Sequence, residues 1–208
     1  MRSLAKPAAG WHQAGQAYYD LPEQPYYDMS FANAAYEARL RAIESVTPSG
    51  SRVLDIGCND GRIARHLLGS GRASRVTAVD IHDLILDKPP KLNFIRADVA
   101  DLDLRALEPF EIVLALNVVH HLVARSRAAA QETIQAGLGV SPLMLVDMGS
   151  FTEHGSWRWR LALERHWCND VQMWEDLFGS TPRRAVLRYA AMSGGHRTMW
   201  LLDARAKA

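Results

Sequence analysis

The sequence predicts an α/β fold in which a seven-stranded, mostly parallel sheet carries helices on both faces and has an antiparallel last strand. Strand-like and helix-like stretches alternate through the middle of the chain, as they do where helices connect parallel strands. Several strand-like runs are continuously apolar, which is typical of strands buried on both faces. Two later runs on either side of Ser193-Gly194-Gly195 predict an antiparallel hairpin at the sheet edge.

The individual elements follow from periodicity and turn residues. The predicted strands are residues 52–56, 75–80, 92–96, 112–116, 143–147, 185–190 and 198–202. The predicted helices cover residues 31–46, 60–68 and 123–136. A last helical stripe is carried by Trp157, Leu161, Trp167, Val171, Trp174 and Phe178. Residues 1–30 lack periodicity, so we expect an N-terminal arm followed by one domain over 31–208. That arm is either a disordered tail or a segment whose tyrosines contact a ligand.

Charge balance, cysteine spacing and the lengths of the apolar runs argue against several classes of protein. A chain of 208 residues with 24 basic and 23 acidic side chains gives no global electrostatic argument for nucleic acid or membrane partners. Cys58 and Cys168 fit no disulfide or metal pattern, and no apolar run approaches the ~20 residues of a membrane span. We therefore expect a cytoplasmic protein with no metal site, and the oligomeric state stays open.

The first predicted strand leads into a glycine-containing turn, Val53-Leu54-Asp55-Ile56-Gly57-Cys58-Asn59-Asp60-Gly61, and then into a helix. A strand, glycine turn and helix in this order bind nucleosides, because glycine lets the backbone approach the ligand. A second acid, Asp80, ends the next strand, 80 − 61 = 19 residues after Gly61. The spacing G-x-x-x-G differs from the dinucleotide pattern G-x-G-x-x-G and disfavours an NAD-dependent oxidoreductase.

This segment resembles motif I, D-x-G-x-G-x-G, of the class I S-adenosylmethionine (SAM) dependent methyltransferases. Asp55, Gly57 and Gly61 match, while Asn59 replaces the middle glycine, a position where Asn tolerates positive φ. The resemblance covers roughly residues 50–205. It implies a Rossmann-like fold with SAM as the methyl donor and S-adenosylhomocysteine (SAH) as the product.

The resemblance also implies roles for individual residues. The turn and the following helix would face the methionine carboxylate, Asp80 the ribose, Ile81 an adenine face, and Asp98 and Val99 the adenine edge. The cofactor-binding residues implied in this way are Asp55, Gly57, Cys58, Asn59, Gly61, Asp80, Ile81, Asp98, Val99 and Asn117. Asn117 would lie beside the sulfonium. Two simpler interpretations stay open, namely Asp80 as a helix cap, and Asp101 or Asp103 in place of Asp98.

Candidate acceptor-side residues follow the fourth and fifth strands. His120 and His121 come after the fourth strand, and Glu153 and His154 lie in the loop after the fifth. We expect His121, Glu153 and His154 to bind the acceptor or remove its proton, since imidazole titrates near pH 6.5. The alternative is that these side chains only stabilise their loops or face solvent.

The functional prediction is methylation of a small-molecule or glycan acceptor, on oxygen. The interleaved Trp and Arg residues of 157–167 leave a second possibility, methylation of an RNA end or a phosphate, because guanidinium groups bind phosphate and stack on bases. Core packing of those tryptophans is the alternative explanation. A non-catalytic nucleoside-binding domain is the remaining possibility.

Overall fold

The computed structural model describes residues 29–154, 158–191 and 194–206. Seven strands form one sheet in the order β3-β2-β1-β4-β5-β7-β6. The strands are β1 (Ser51–Ile56), β2 (Ala73–Asp80), β3 (Leu92–Arg96), β4 (Ile112–Leu116), β5 (Leu143–Asp147), β6 (Arg183–Ala190) and β7 (His196–Asp203). β1 to β5 pair in parallel, and β7 runs antiparallel to both β5 and β6. The predicted sheet with its antiparallel last strand is confirmed. Residues 1–28 of the predicted arm lie outside the described residues.

Helices cover both faces of this sheet, as predicted. They are α1 (Met29–Val46), α2 (Arg62–Gly69), α3 (Val119–Arg125), α4 (Arg127–Val140), α5 (Arg158–Glu164) and α6 (Asp170–Phe178), with a short 3-10 helix at Leu104–Ala106. Alternation along β1 separates two cores: Leu54 and Ile56 pack with α3 to α6, whereas Val53 packs with α1 and α2. Within the described ranges, we find no helix with both the length and the apolar character that a membrane crossing requires.

The predicted helix over 123–136 is wrong in its extent. Two helices occupy this region, and the chain is extended at Ser126, where φ is −164°. The Ser126 hydroxyl accepts a hydrogen bond from the Ala129 N–H at 3.5 Å and so caps α4. The helix α3 before this break includes both His120 and His121.

The helical stripe predicted from residue 157 to 178 is also wrong as a single helix. It is divided between α5 and α6, and Asn169 caps α6 by accepting a hydrogen bond from the Gln172 N–H at 3.0 Å. The break changes the helical phase, so Leu161 and Val171 are 49% and 64% exposed instead of buried. The described tryptophans of this stretch, Trp159, Trp167 and Trp174, are buried, which is the core-packing explanation. Trp157 lies outside the described residues.

Candidate active site

The predicted site residues lie at the carboxyl ends of the parallel strands, where open α/β sheets bind ligands. They fall into two groups. The glycine-turn half comprises the turn after β1, the end of β2 and the residues after β3. The network half comprises the ends of β4 and β5, the start of α3, the loop 148–154, and the facing parts of α1, β6 and β7.

The turn after β1 needs residues that accept positive φ. Gly57, Asn59 and Gly61 have φ angles of 72°, 50° and 71°. A Cβ atom at Gly57 would lie 2.7 Å from the Val118 Cβ, and one at Gly61 would lie 2.9 Å from the Ile85 Cδ1. Asn59 takes the positive φ expected of it, so its replacement of glycine leaves the turn intact.

Asp80 connects the end of β2 to this turn. Its Oδ2 accepts a hydrogen bond from the Asn59 N–H at 2.8 Å, and its Oδ1 accepts one from the His82 N–H at 2.9 Å. The carboxylate is half-buried and borders the turn. Each carboxylate oxygen can accept more than one hydrogen bond, so these contacts leave capacity for a ligand's hydroxyl groups.

Asp55 lies beneath the turn and is 2% exposed. Burial, followed by the negative charges of Asp80 and Asp60, raises the pKa of Asp55 to about 7. Within the described part of the chain its Oδ2 atom has no hydrogen-bond partner. A buried carboxylate oxygen without a partner fits a ligand that brings a donor or a positive charge. Cys58 is buried beside it, and burial raises the pKa of its thiol, so it is a small packing residue.

The residues after β3 form a turn with an ion pair. Asp98 Oδ1 accepts a hydrogen bond from the Ala100 N–H at 3.0 Å, and Asp98 Oδ2 lies 2.6 Å from Arg125 Nη1. Arg125 also pairs with Asp101 at 2.8 Å. Val99 is buried in this turn, while Ile81, after β2, is half-buried. Arg125, which reaches Asp98 from the far end of α3, was not predicted from the sequence.

Asn117 begins the network half at the end of β4. Its backbone has φ 60°, and its N–H donates to the Asp147 carbonyl at 2.7 Å. Its Oδ1 accepts a hydrogen bond from Arg197 Nη1 at 2.5 Å. Arg197 in turn makes two hydrogen bonds of 2.7 Å, one to each carboxylate oxygen of Glu153.

Glu153 and Arg197 form a buried ion pair. The Glu153 side chain is 0% exposed, and its Oε1 also accepts a hydrogen bond from the Ser150 N–H at 2.9 Å. Burial opposes the charge of Arg197, but the Glu153 hydrogen bond and the charge of Asp147 outweigh it, so the pKa of Arg197 is raised. Arg197 therefore keeps its positive charge at neutral pH and is bound by both carboxylate oxygens of Glu153.

A second buried cluster surrounds Asp147 at the end of β5. Arg39 of α1 lies 3.0 Å from Asp147 Oδ2, and the Tyr189 hydroxyl donates to the same oxygen at 2.5 Å. Burial, followed by the charge of Asp147, raises the pKa of Tyr189, so the phenol stays protonated. Two arginines are thus balanced by two carboxylates in the network half.

The paired histidines differ in environment. His120 is buried, and its Nδ1 accepts a hydrogen bond from the Gly149 N–H at 3.2 Å. Its ring centroid lies 4.2 Å from that of His121 and 5.0 Å from that of Trp159. Burial, then the charges of His121 and Arg197, hold the pKa of His120 well below 6.5.

His121 is solvent-accessible but lies among closely packed neighbours. Loss of hydration around the ring, and then the charge of Arg197, lower the pKa of His121 to about 4. Both imidazoles are therefore neutral at pH 7. His121 is an exposed residue near the start of α3, whereas His120 accepts a hydrogen bond from the loop after β5 and holds that loop in place.

The loop 148–154 is tied to the turn between β6 and β7. The hydroxyls of Ser150 and Thr152 donate to the His196 carbonyl at 2.7 and 2.8 Å. A Cβ atom at Gly195 would lie 2.1 Å from the Thr152 carbonyl oxygen, so only glycine permits this approach. His154 is exposed beside Gly194, whereas Glu153 next to it is buried. The structure therefore connects Glu153 to Asn117 through Arg197 and leaves His154 at the surface.

Three residues that bind Glu153 and Asp147 were not predicted from the sequence. They are Arg39, Tyr189 and Arg197. The sequence holds one usable signal, since Asp147 is an acid at the end of a continuously apolar strand and needs a partner when buried. Nothing in the sequence identifies which arginine or tyrosine supplies it.

Comparison with known proteins agrees with this architecture. A family model described as a methyltransferase domain matches residues 53–138. A search of curated proteins found no match. The N-methyltransferase NodS from Bradyrhizobium japonicum WM9, solved with SAH, superimposes with a TM-score of 0.69 at 11% identity, covering 93% of this chain and 98% of NodS.

Two further solved structures share the fold. The bifunctional kinase-methyltransferase WbdD matches with a TM-score of 0.66 at 16% identity over 91% of this chain, which spans about half of WbdD (46%). The N-terminal domain of EvdMO1, solved with SAH bound, gives a TM-score of 0.59 at 15% identity over 80% of each chain. Residues 53–138 thus match a methyltransferase domain, and the seven-stranded sheet with its glycine turn has the Rossmann-like fold of these SAM-dependent methyltransferase structures.

Proposed function

We propose that the protein transfers a methyl group from SAM to an oxygen atom of a small-molecule or glycan acceptor. The observation that carries the choice of acceptor is the charge balance of the network half. Arg39 and Arg197 are matched by Asp147 and Glu153, and the accessible His121 is neutral at pH 7. Such a surface suits an uncharged hydroxyl better than a polyanion, which would require unmatched positive charge.

The glycine-turn half has the features that the cofactor requires. SAM supplies a methyl group already activated on a sulfonium. The unpartnered Asp55 oxygen and the turn over Gly57, Cys58, Asn59 and Gly61 would accommodate its methionine part. Asp80 would accept the ribose hydroxyls.

The remaining cofactor contacts are proposed by position. Ile81 and Val99 would border the adenine, Asp98 would accept from its amino group, and Asn117 would lie beside the sulfonium. Since Asp98 is paired with Arg125 at 2.6 Å, adenine would have to share that carboxylate with the guanidinium or displace it.

On the acceptor side we assign different roles to the three predicted residues. Because Glu153 is bound to Arg197, we propose that it positions this arginine rather than receiving a proton. His121 is the accessible imidazole, and in its neutral form it would accept the hydroxyl proton. Its low pKa makes it a weak base, so orientation of the acceptor would supply most of the rate enhancement. His154 would contact the acceptor from the rim.

The RNA interpretation loses its structural support in the Trp and Arg segment. Trp159 and Trp167 are 8% and 6% exposed and so cannot stack on bases. Arg160 donates to the carbonyl oxygens of Ser150 and Glu153 and pairs with Glu164. These contacts give Trp159, Arg160 and Trp167 a packing role.

The proposed function is tested with SAM that carries a labelled methyl group. The purified protein is incubated with fractionated extract of the source cell, and products are compared before and after nuclease treatment. We expect label in small-molecule or glycan fractions, stable to nuclease, and no label with the Asp80→Ala variant. Label released only by ribonuclease would overturn the acceptor assignment. Absence of SAH formation with every fraction would instead indicate a non-catalytic binding domain.

A further inference from the structure

The side-chain amide of Asn117 has a fixed orientation. Arginine carries only hydrogen-bond donors, so the atom that lies 2.5 Å from Arg197 Nη1 must be the carbonyl Oδ1 of the amide. The amide NH2 group therefore points away from the guanidinium. No described residue accepts a hydrogen bond from this NH2, and Asn117 is only half-buried.

Arg197 is itself held from the other side. Glu153 binds it through two hydrogen bonds of 2.7 Å, and the Ser150 N–H binds Glu153 at 2.9 Å. A guanidinium held in this bidentate way cannot rotate without losing both bonds. The contacts from Glu153 through Arg197 to Asn117 thus fix the orientation of the amide, whose NH2 group is turned away from Arg197.

We propose that Asn117 selects for an oxygen acceptor by presenting N–H donors to it, and that Arg197 and Glu153 are the residues that position it. This inference rests on the proposed function. A hydroxyl oxygen has two lone pairs: one can accept a hydrogen bond from the Asn117 NH2 while the other attacks the methyl carbon. A neutral amine has a single lone pair, which it needs for the attack, and it turns N–H donors toward the Asn117 donors.

The transfer step balances without any further reactant. The acceptor oxygen forms a bond to the methyl carbon, the carbon–sulfur bond breaks, and its electron pair stays on sulfur to give SAH. The hydroxyl proton passes to the neutral imidazole of His121 and then to water. The Asn117 donors orient the oxygen throughout and lose no proton.

The test replaces the amide NH2 without changing its size. Asn117→Asp keeps an oxygen toward Arg197 and tolerates the positive φ of this position. It places a hydrogen-bond acceptor where the wild type has the NH2 donor. Asn93→Asp, at an exposed position on β3, is the matched control. Each variant is incubated with labelled SAM and the extract fractions that the wild type labels, and O-methyl and N-methyl products are separated by mass spectrometry. SAH affinity is measured in parallel.

We expect O-methyl products from the wild type, at least a tenfold fall in kcat for Asn117→Asp, and an SAH affinity within about threefold of the wild type. Arg197→Lys should show the same pattern, because an ammonium group cannot hold Glu153 and Asn117 in the same geometry. A merely structural role of Asn117 would lower the thermal stability and the SAH affinity of Asn117→Asp together with its kcat.

Three outcomes would contradict the inference. Label in N-methyl products of the wild type, or unchanged O-methylation by Asn117→Asp, would overturn it and leave methyl transfer itself intact. Absence of label in every fraction would overturn the proposed function, and the inference with it.

Discussion

The two halves of the candidate site are built differently. In the glycine-turn half the contacts of the turn itself join neighbours in sequence or the ends of adjacent strands, such as Asn59 and Asp80, which are 21 residues apart, and Asp98 pairs with Arg125 over 27 residues. In the network half they join distant segments: Arg197 lies 44 residues from Glu153 and 80 from Asn117. The first half relies on backbone conformation and the second on buried charges. The proposed cofactor contacts therefore depend on the backbone conformation of a turn, and the proposed acceptor contacts depend on a network of buried charges.

The largest expected effect is a loss of stability in the network half. Glu153→Ala leaves Arg197 buried without its carboxylate, so we expect the free energy of unfolding to fall by about 3–5 kcal/mol. Denaturant unfolding measures it, with Glu164→Ala as the control, since its exposed pair with Arg160 contributes less than about 1 kcal/mol. If both variants lost the same free energy of unfolding, the buried ion pair would contribute no more to stability than the surface pair, contrary to this prediction.

The next effect concerns ligand binding in the glycine-turn half. Asp80→Ala removes the acceptor of the Asn59 and His82 N–H groups and the proposed ribose contact, so SAH should bind roughly 10–100-fold more weakly. Isothermal titration calorimetry measures this affinity. Asp83→Ala, at an exposed position that pairs with Lys88, should bind normally. If Asp80→Ala binds SAH as tightly as the wild type, the assigned cofactor contacts are wrong.

The free energy of unfolding should change with pH in opposite directions at Asp55 in the glycine-turn half and at His120 in the network half. The pKa of Asp55 is raised from 3.8 to about 7 in the folded protein, so the folded state holds its proton more tightly than the unfolded state. The Asp55 contribution is therefore fully present below pH 3.8 and is lost as pH rises through 7. Asp55→Asn should be more stable than the wild type at pH 8, by roughly 1–3 kcal/mol. This advantage should disappear at pH 4, as measured by denaturant unfolding at both pH values.

The smallest effect has the opposite sign and lies in the network half. Since the pKa of His120 is well below 6.5 when folded, its contribution to stability is present above pH 6.5 and is lost on acidification. Acidification from pH 7.5 to 5.5 should cost the wild type about 1.4 kcal/mol at this residue. His120→Asn retains an acceptor for the Gly149 N–H and should lose less over the same interval. An identical loss in both proteins would show that His120 does not stay neutral.

The sheet was more predictable from sequence than the helices. The bounds of β3, β4 and β5 agree with the predicted ones, because buried parallel strands are short apolar runs with clear ends. The breaks at Ser126 and Asn169 were missed, because a polar residue within a helical pattern either stays in the helix or caps a new one. The backbone conformation that decides between these outcomes depends on packing against the rest of the chain.

The candidate site divides in the same way. The proposed cofactor contacts of Asp55, Gly57, Gly61 and Asp80 could be predicted from sequence, because strand, turn and helix follow one another along the chain. The role of Arg197 could not, since its partner Asn117 is 80 residues away and becomes a neighbour only when the sheet forms. The division of the chain into an arm over 1–30 and a domain over 31–208 stays a prediction.

The position of β7 has a consequence for the order in which the protein assembles. This strand is synthesised after all the others, yet it lies between β5 and β6 in the sheet. A nascent chain that has emerged from the ribosome only as far as β6 can pair β1 to β5 and form the turn at Gly57. It still lacks Arg197, and β6 has no neighbouring strand to join. The glycine-turn half can therefore form during translation, whereas the network half must wait until β7 inserts between β5 and β6.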